Sequence, residues 1–281
     1  MYIPRNENDI QKLFIDHFTE FEEVYDEKYA KEYGEYRITR IKEVAEKFMV
    51  CGDWNEGIAR IQCTNPDCKH EFFRPFSCRG FYLCPSCHQK RLLLFSEKLC
   101  NEILLKLPHA QFVFTFPKAL RVFLRNNKNL YSKVSRLIFE MINDYYNEIC
   151  TVKLKTAAVF SFQTAGDLCR FNPHFHAIIL EGGYDDEENF HYIHLTNTKL
   201  MVELFRRKIV ELYLEEKLIN KAFAKNLLSW KHSGFSIDNS VKLYVYDKKV
   251  RENLCQYIAR APVSLGKIKY IAHDNKSSVL Y

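Results

Sequence analysis

Apolar positions along the chain fall into two periods. Ile10, Leu13, Phe14 and Phe18 recur at helical spacing behind Asn8 and Asp9, either of which can cap a first helix, and a second helix is predicted over residues 38–49. Leu92, Phe95, Leu99, Ile103 and Leu107 line one face of a helix over 91–107 that Pro108 ends. Residues 118–150 are helical with a break near Asn126-Asn127, and 197–230 form two helices with a break near Ile219-Asn220. A last helix over 248–261 carries Val250, Leu254, Tyr257 and Ile258 on one stripe, and Pro262 stops it. Strands are predicted at 111–116, 157–163 and 173–180, then over 234–246, 268–271 and 279–281; the acidic stretch 184–194 reads as a loop. Mixed helices and strands of this kind predict an α+β fold, with helices packed on an antiparallel sheet.

The strand ending in Phe175-His176-Ala177-Ile178-Ile179-Leu180, closed by Gly182-Gly183, carries the most distinctive chemistry. Side chains two apart on a strand share a face, so His174 and His176 project together while Phe175 turns to the core. Two adjacent imidazoles are half of a metal site. If strands 157–164 and 173–180 form a hairpin, Gln163 lies opposite His174, with Cβ atoms about 5 Å apart. Gln163 is then a third ligand or a hydrogen-bond partner of a histidine ring; Asp167, in the loop, is the alternative ligand. Tyr244 and Tyr246 share a face of a strand and read as packing residues.

Composition narrows the class. The chain has 281 residues, 47% hydrophobic and 15% aromatic, with a formal charge of +6. That is a globular chain whose mild basicity is compatible with a nucleic-acid partner. No apolar run reaches the length of a membrane span, and the start MYIPRNENDIQ has no apolar signal core, so a cytoplasmic protein without a membrane partner is expected. Six of the ten cysteines (51, 63, 68, 78, 84 and 87) are clustered. In a reducing compartment such a cluster reads as metal binding. Cys63 and Cys68, then Cys84 and Cys87, form two short-spaced pairs with turn residues between them, the arrangement a tetrahedral structural Zn²⁺ requires. Cys51 and Cys78 read as small buried hydrophobes; with His70 and His88 they are also replacement or additional ligands.

These pieces, in order, resemble a known family. Cys63, Cys68, Cys78-Arg-Gly and Cys84-Pro-Ser-Cys87, then Gln163-Thr-Ala-Gly166, then Asn172-Pro-His-Phe-His176, then Leu254-Cys-Gln-Tyr257 through Pro262, are similar to the HUH rolling-circle transposases of bacterial insertion sequences that carry an N-terminal zinc-binding domain. The resemblance covers nearly the whole chain from Cys51 onward. It implies an N-terminal helical region (1–50), a zinc-binding module (51–92) and an HUH single-strand nuclease domain (93–281). It also implies a metal-dependent nickase and strand transferase acting on single-stranded DNA at transposon ends, compatible with an oligomer. Tyr257 would form a 5′-phosphotyrosine link, with His174, His176 and Gln163 holding Mg²⁺ or Mn²⁺ and Lys248, Lys249, Arg251 and Arg260 holding the DNA backbone. Relatives often carry a second tyrosine four residues on; here that position is Ala261, a single-tyrosine version. They also usually extend beyond the point where this sequence stops, which suggests a short C-terminus. The competing expectation is a zinc-dependent DNA-binding remnant of a transposase without catalysis; a third reading is a hydrolase using a zinc-bound water at the two histidines.

Overall fold

A computed structural model describes residues 8–35, 37–80, 83–125, 127–166, 170–195, 198–244, 247–261, 265–273 and 277–281. The chain divides into two compact units, residues 1–94 with 263–281, and residues 95–262. The last residues of the chain group with the N-terminal unit. Their tether is Tyr270, whose backbone N–H and hydroxyl donate to Asp9 and Asp16, and whose hydroxyl also meets His17.

In the first unit α1 (Asp9–Glu23) is capped by Asn8, whose side-chain oxygen accepts from the Gln11 N–H. Two short helices, α2 (Tyr25–Lys28) and α3 (Ala30–Tyr33), lead to α4 (Arg37–Met49), which packs back on α1. The buried Gln11 amide reaches the carbonyls of Phe48, Met49 and Cys51, and so fixes where the chain leaves α4. A hairpin follows, β1 (Ile58–Gln62) against β2 (Glu71–Pro75), and then α5 (Pro85–Lys98). The strand β2 runs between the two short-spaced cysteine pairs.

In the second unit a π-helical turn (Leu99–Ile103) precedes β3 (His109–Thr115). Then come α6 (Lys118–Arg121), α7 (Lys128–Ile149), β4 (Ala158–Ala165) and β5 (Phe171–Leu180). A small hairpin, β6 (Gly182–Tyr184) with β7 (Phe190–Tyr192), occupies what the sequence suggested was a loop. Its turn is built by Asp185, whose carboxylate accepts from the N–H groups of Glu187 and Asn189, so an acidic stretch becomes ordered. The helical pair is α8 (Lys199–Glu215) and α9 (Lys221–Ser229), with Asn220 capping the second through the Phe223 N–H. Short strands β8 (Ser236–Asp238) and β9 (Lys242–Leu243) lead to α10 (Lys248–Ile258). Back in the first unit, β10 (Lys269–Ile271) pairs with β11 (Ser278–Leu280).

The sheet of the second unit runs β4-β5-β3-β8, all antiparallel, with β9 also on β3. The histidine strand is thus interior. Its alternation assigns the two faces different work. Phe175, Ala177 and Ile179 join Phe112, Phe114 and residues of α7 and α8 in the main core. On the other face Ile178 packs with Leu99, Leu254, Cys255 and Ile258, which seats α10 over the end of the sheet that holds the polar residues.

Candidate active site and metal centre

The polar face of the sheet is assembled by register. Across β4 and β5, Gln163 pairs with His174, as the hairpin register predicted, and Ser161 pairs with His176. Across β5 and β3, His176 pairs with Val113, and Gln111 one pleat further along reaches the His176 Nδ1 at 3.1 Å. The pairing of β4 and β5 shifts between Gln163 and Ala165, a bulge of the kind that re-aims side chains beside functional sites. Gly166 follows it, where an added Cβ would stand 2.9 Å from the Asn172 Cβ. The glycine therefore admits Asn172 at close range, and the Asn172 carbonyl accepts from His174 Nδ1 at 2.7 Å.

That last bond fixes a tautomer. A carbonyl only accepts, so Nδ1 of His174 carries the proton and Nε2 keeps its lone pair. The two rings lie 4.8 Å apart, centroid to centroid. His176 is 1% exposed and its Nε2 has no hydrogen-bond partner; with the Gln111 amide turned so that its oxygen accepts from Nδ1–H, that Nε2 is an orphaned lone pair of the type a metal satisfies. Burial is the main cause that pushes the His176 imidazole down to about 4, with the charges of His174 and Arg260 acting the same way. His174 is also lowered, chiefly by burial, against the Asn172 bond, with Arg260 and Arg121 contributing. Both rings are neutral at pH 7 and fit the donor set of a divalent metal.

Two side chains of β4 hold the C-terminal end of α10. Ser161 Oγ donates to the Ile258 carbonyl at 2.7 Å and Gln163 Nε2 donates to the Tyr257 carbonyl at 3.3 Å. These are carbonyls that a helix end leaves without intrahelical partners. The strand that supplies Gln163 thus also sets the position of Tyr257. The Tyr257 ring stands edge-on to His176, centroids 5.5 Å apart, and is 38% exposed. The Arg260 guanidinium lies over that ring at 4.3 Å. With its Nε2 engaged on Tyr257, Gln163 keeps its amide oxygen for a metal; Asp167, the alternative, lies outside the described residues, as do Tyr246 and Pro262.

The remaining basic candidates separate. Lys248 and Lys249 are exposed on the first turn of α10. Arg251 has to be removed from the DNA-binding set: it is 9% exposed and its guanidinium is spent on the carbonyls of Leu104 and Leu105, where the π-helical turn ends. Arg121 was not anticipated. Its Nε donates to the Phe116 carbonyl, and its charge acts on His174. No spacing in the sequence connects Arg121 to the histidines; only the turn after β3 does.

The cysteines differ in a more important way from expectation. Cys51, Cys78, Cys84 and Cys87 lie with their sulfurs all within 4.8 Å of one another. Three separations are 3.6, 3.8 and 3.7 Å. A tetrahedron with Zn–S bonds of 2.3 Å has edges of about 3.8 Å, so the four thiols fit zinc. Cys84 and Cys87 are as assigned; Cys51 and Cys78, not Cys63 and Cys68, complete the group. The reason is that β1 and β2 separate the two candidate pairs. Cys63 and Cys68 sit at the hairpin tip, where the Cys63 N–H bonds the His70 carbonyl, whereas Cys51 and Cys78 flank its base. There the Gly52 N–H bonds the Phe76 carbonyl. The Cys78 N–H donates to the Cys51 sulfur and the Gly80 N–H to the Cys78 sulfur, both at 3.3 Å. Arg79 is left-handed (φ 53°), and a Cβ on Gly80 would lie 3.2 Å from the Cys78 sulfur. Hydrogen bonds from its neighbours, Cys78 first, hold the Cys51 thiol well below its ordinary value.

A four-thiol group in the first unit and a tyrosine helix beside a histidine strand in the second are the two candidate centres. Comparison with protein families bears on both. Residues 20–116 match the family described as "Transposase zinc-binding domain", of IS91 type, and residues 158–281 match the one described as "Putative transposase". The two matches together support an IS91-type transposase with an N-terminal zinc-binding domain. No curated protein and no solved structure matches it. Among the described residues no helix is long and apolar enough to cross a membrane.

Proposed function

We propose that this transposase is a metal-dependent single-strand DNA nickase and strand transferase in which Tyr257 is the nucleophile. The observation that carries the reading is the placement of the Tyr257 ring beside His176, on a helix end held by Gln163 and Ser161. His174, His176 and the Gln163 amide oxygen would hold Mg²⁺ or Mn²⁺, and the mixed N/O donor set suits Mn²⁺ at least as well as Mg²⁺. When bound, the metal supplies Lewis-acid polarisation of the scissile phosphate.

The protein's own groups do the rest. The Tyr257 hydroxyl attacks phosphorus, forming a 5′-phosphotyrosine link and releasing a 3′-oxygen that takes up a proton. The reverse attack by a 3′-hydroxyl rejoins a strand and returns the proton to tyrosine. Arg260 and Arg121 both bring positive charge to His174 and suit phosphate oxygens. Lys248 and Lys249 are exposed in the first turn of α10, Lys248 in an i,i+4 pair with Glu252, and both suit a backbone contact with DNA.

The test is an SDS-stable adduct between the full chain and single-stranded oligonucleotides carrying the element's ends, with Mn²⁺ present. Wild type forms it and Tyr257→Phe does not. An adduct that survives in Tyr257→Phe sinks the nucleophile assignment. Binding without any wild-type adduct favours the non-catalytic DNA-binding reading instead.

A further inference from the structure

Cys255 lies two residues before Tyr257 on α10, and Cys100 lies in the π-helical turn, 155 positions away. Their sulfurs approach to 2.7 Å. Neither belongs to the four-thiol centre. Cys255 is fully buried in the apolar cluster under α10, while Cys100 is only partly buried at its edge. Three further contacts hold the two segments together: Ser96 Oγ on the Glu252 carbonyl, and the Arg251 guanidinium on the carbonyls of Leu104 and Leu105. The sulfurs therefore face one another on a fixed frame, and a small side-chain rotation brings them to the bonding distance of about 2.05 Å.

We propose that Cys100 and Cys255 are a thiol–disulfide modification site that pins the tyrosine helix. The oxidant class is a low-molecular-weight disulfide. The Cys100 thiolate attacks one sulfur of that disulfide, breaking its S–S bond and expelling one thiolate, which takes a proton. The Cys255 sulfur then loses its proton, attacks Cys100 and expels the second small thiol. The balance is one small disulfide reduced to two thiols and two cysteines oxidised to one cystine. Exposure decides the order, because a small disulfide reaches Cys100 and does not reach Cys255. Disulfides of this kind in a reducing compartment are transient and redox-sensing, not structural.

The consequence for the fold follows from helix geometry. Residues two apart on an α-helix point about 200° from each other. A bond through Cys255 thus fixes the buried side of α10 and leaves Tyr257 on the opposite side, held in rotation and height. This placement does not depend on Tyr257 being the nucleophile.

The experiment uses the full zinc-loaded chain, equilibrated in glutathione buffers of rising oxidised fraction, alkylated, digested and mapped by mass spectrometry. Amide exchange of residues 248–258 is followed in parallel. The expected result is a peptide pair joined through Cys100 and Cys255, with exchange in α10 slowed by roughly tenfold or more on oxidation. With Cys255→Ser, Cys100 instead retains one glutathione. Two results overturn the proposal: wild-type Cys100 carrying glutathione while Cys255 stays alkylatable, or a joined pair with unchanged exchange in α10. Both are read on the wild-type chain, so a variant that fails to fold does not affect them.

Discussion

The thiol centre and the imidazole centre solve different problems with the same kind of parts. Four sulfurs close around one point in the first unit, drawn from the end of α4, a turn at the hairpin base and the start of α5. A closed tetrahedron leaves no position for a substrate, so its chemistry is the folding of a small module. The second unit sets two imidazoles side by side, with Gln163 across from one of them, on a sheet whose other face is already packed into a large core. A metal held there would add little to folding and would keep coordination positions open. A centre that holds the fold gathers distant segments; a centre that serves chemistry rests on a frame that stands without it.

This contrast predicts effects of very different size. The largest follows from opening the thiol tetrahedron. Structural zinc contributes apparent free energies of about 10–16 kcal/mol in small modules, so Cys51→Ser or exhaustive chelation unfolds the first unit. Cys63→Ser shifts stability by about 0.5 kcal/mol or less, as at an exposed surface position. Zinc stoichiometry with thermal unfolding separates these, and full zinc retention in Cys51→Ser would sink the assignment. The next effect is on activity. Gln163→Ala removes both a candidate ligand and a tether of α10, so the Mn²⁺ concentration giving half-maximal adduct formation rises by about 10–100-fold while amide exchange of β5 is unchanged. A loss of β5 protection instead would make Gln163 a structural residue.

How legible each centre was in the sequence follows from the same contrast. The register of a short hairpin is local, so the pairing of Gln163 with His174 could be read from the loop between two strands. The α+β class and the break between α8 and α9, which Asn220 caps, were also legible, because periodicity and chain breaks are local properties. The thiol group was half legible. Cys84 and Cys87 are joined by spacing, but Cys51 and Cys78 meet only because β1 and β2 fold into a hairpin that returns the chain to its own base. Spacing favoured Cys63 and Cys68, which that hairpin carries to its tip. Arg251 was misread for a related reason. Its neighbours Lys248 and Lys249 are surface residues, and one further step around the helix turns it inward, onto carbonyls that the π-helical turn leaves open.

The smallest effect isolates burial from ligation within the sheet. His109, at the start of β3, is 3% exposed, and its Nδ1–H donates to the Leu107 carbonyl at 2.7 Å. Burial lowers its pKa from 6.5 to about 4, against that bond and aided by the Arg251 charge. The unfolded chain therefore takes up a proton between pH 6.5 and 4 that the folded chain does not. Stability at His109 is fully present above 6.5, declines as pH falls through that window and levels off below 4, a total of about 3 kcal/mol. His109→Asn keeps a donor for Leu107 without the titration. Its unfolding free energy, read from amide exchange of β3 and β5, should fall less steeply than wild type on acidification from pH 7 to 4.5. Equal slopes would mean that His109 is protonated in the folded sheet. A shallower slope leaves the acid sensitivity that remains to the other groups of the sheet, His174 and His176 among them, whose proton affinities burial also lowers. Metal at those two rings then opposes acid unfolding, which distinguishes them from His109, where added metal changes nothing.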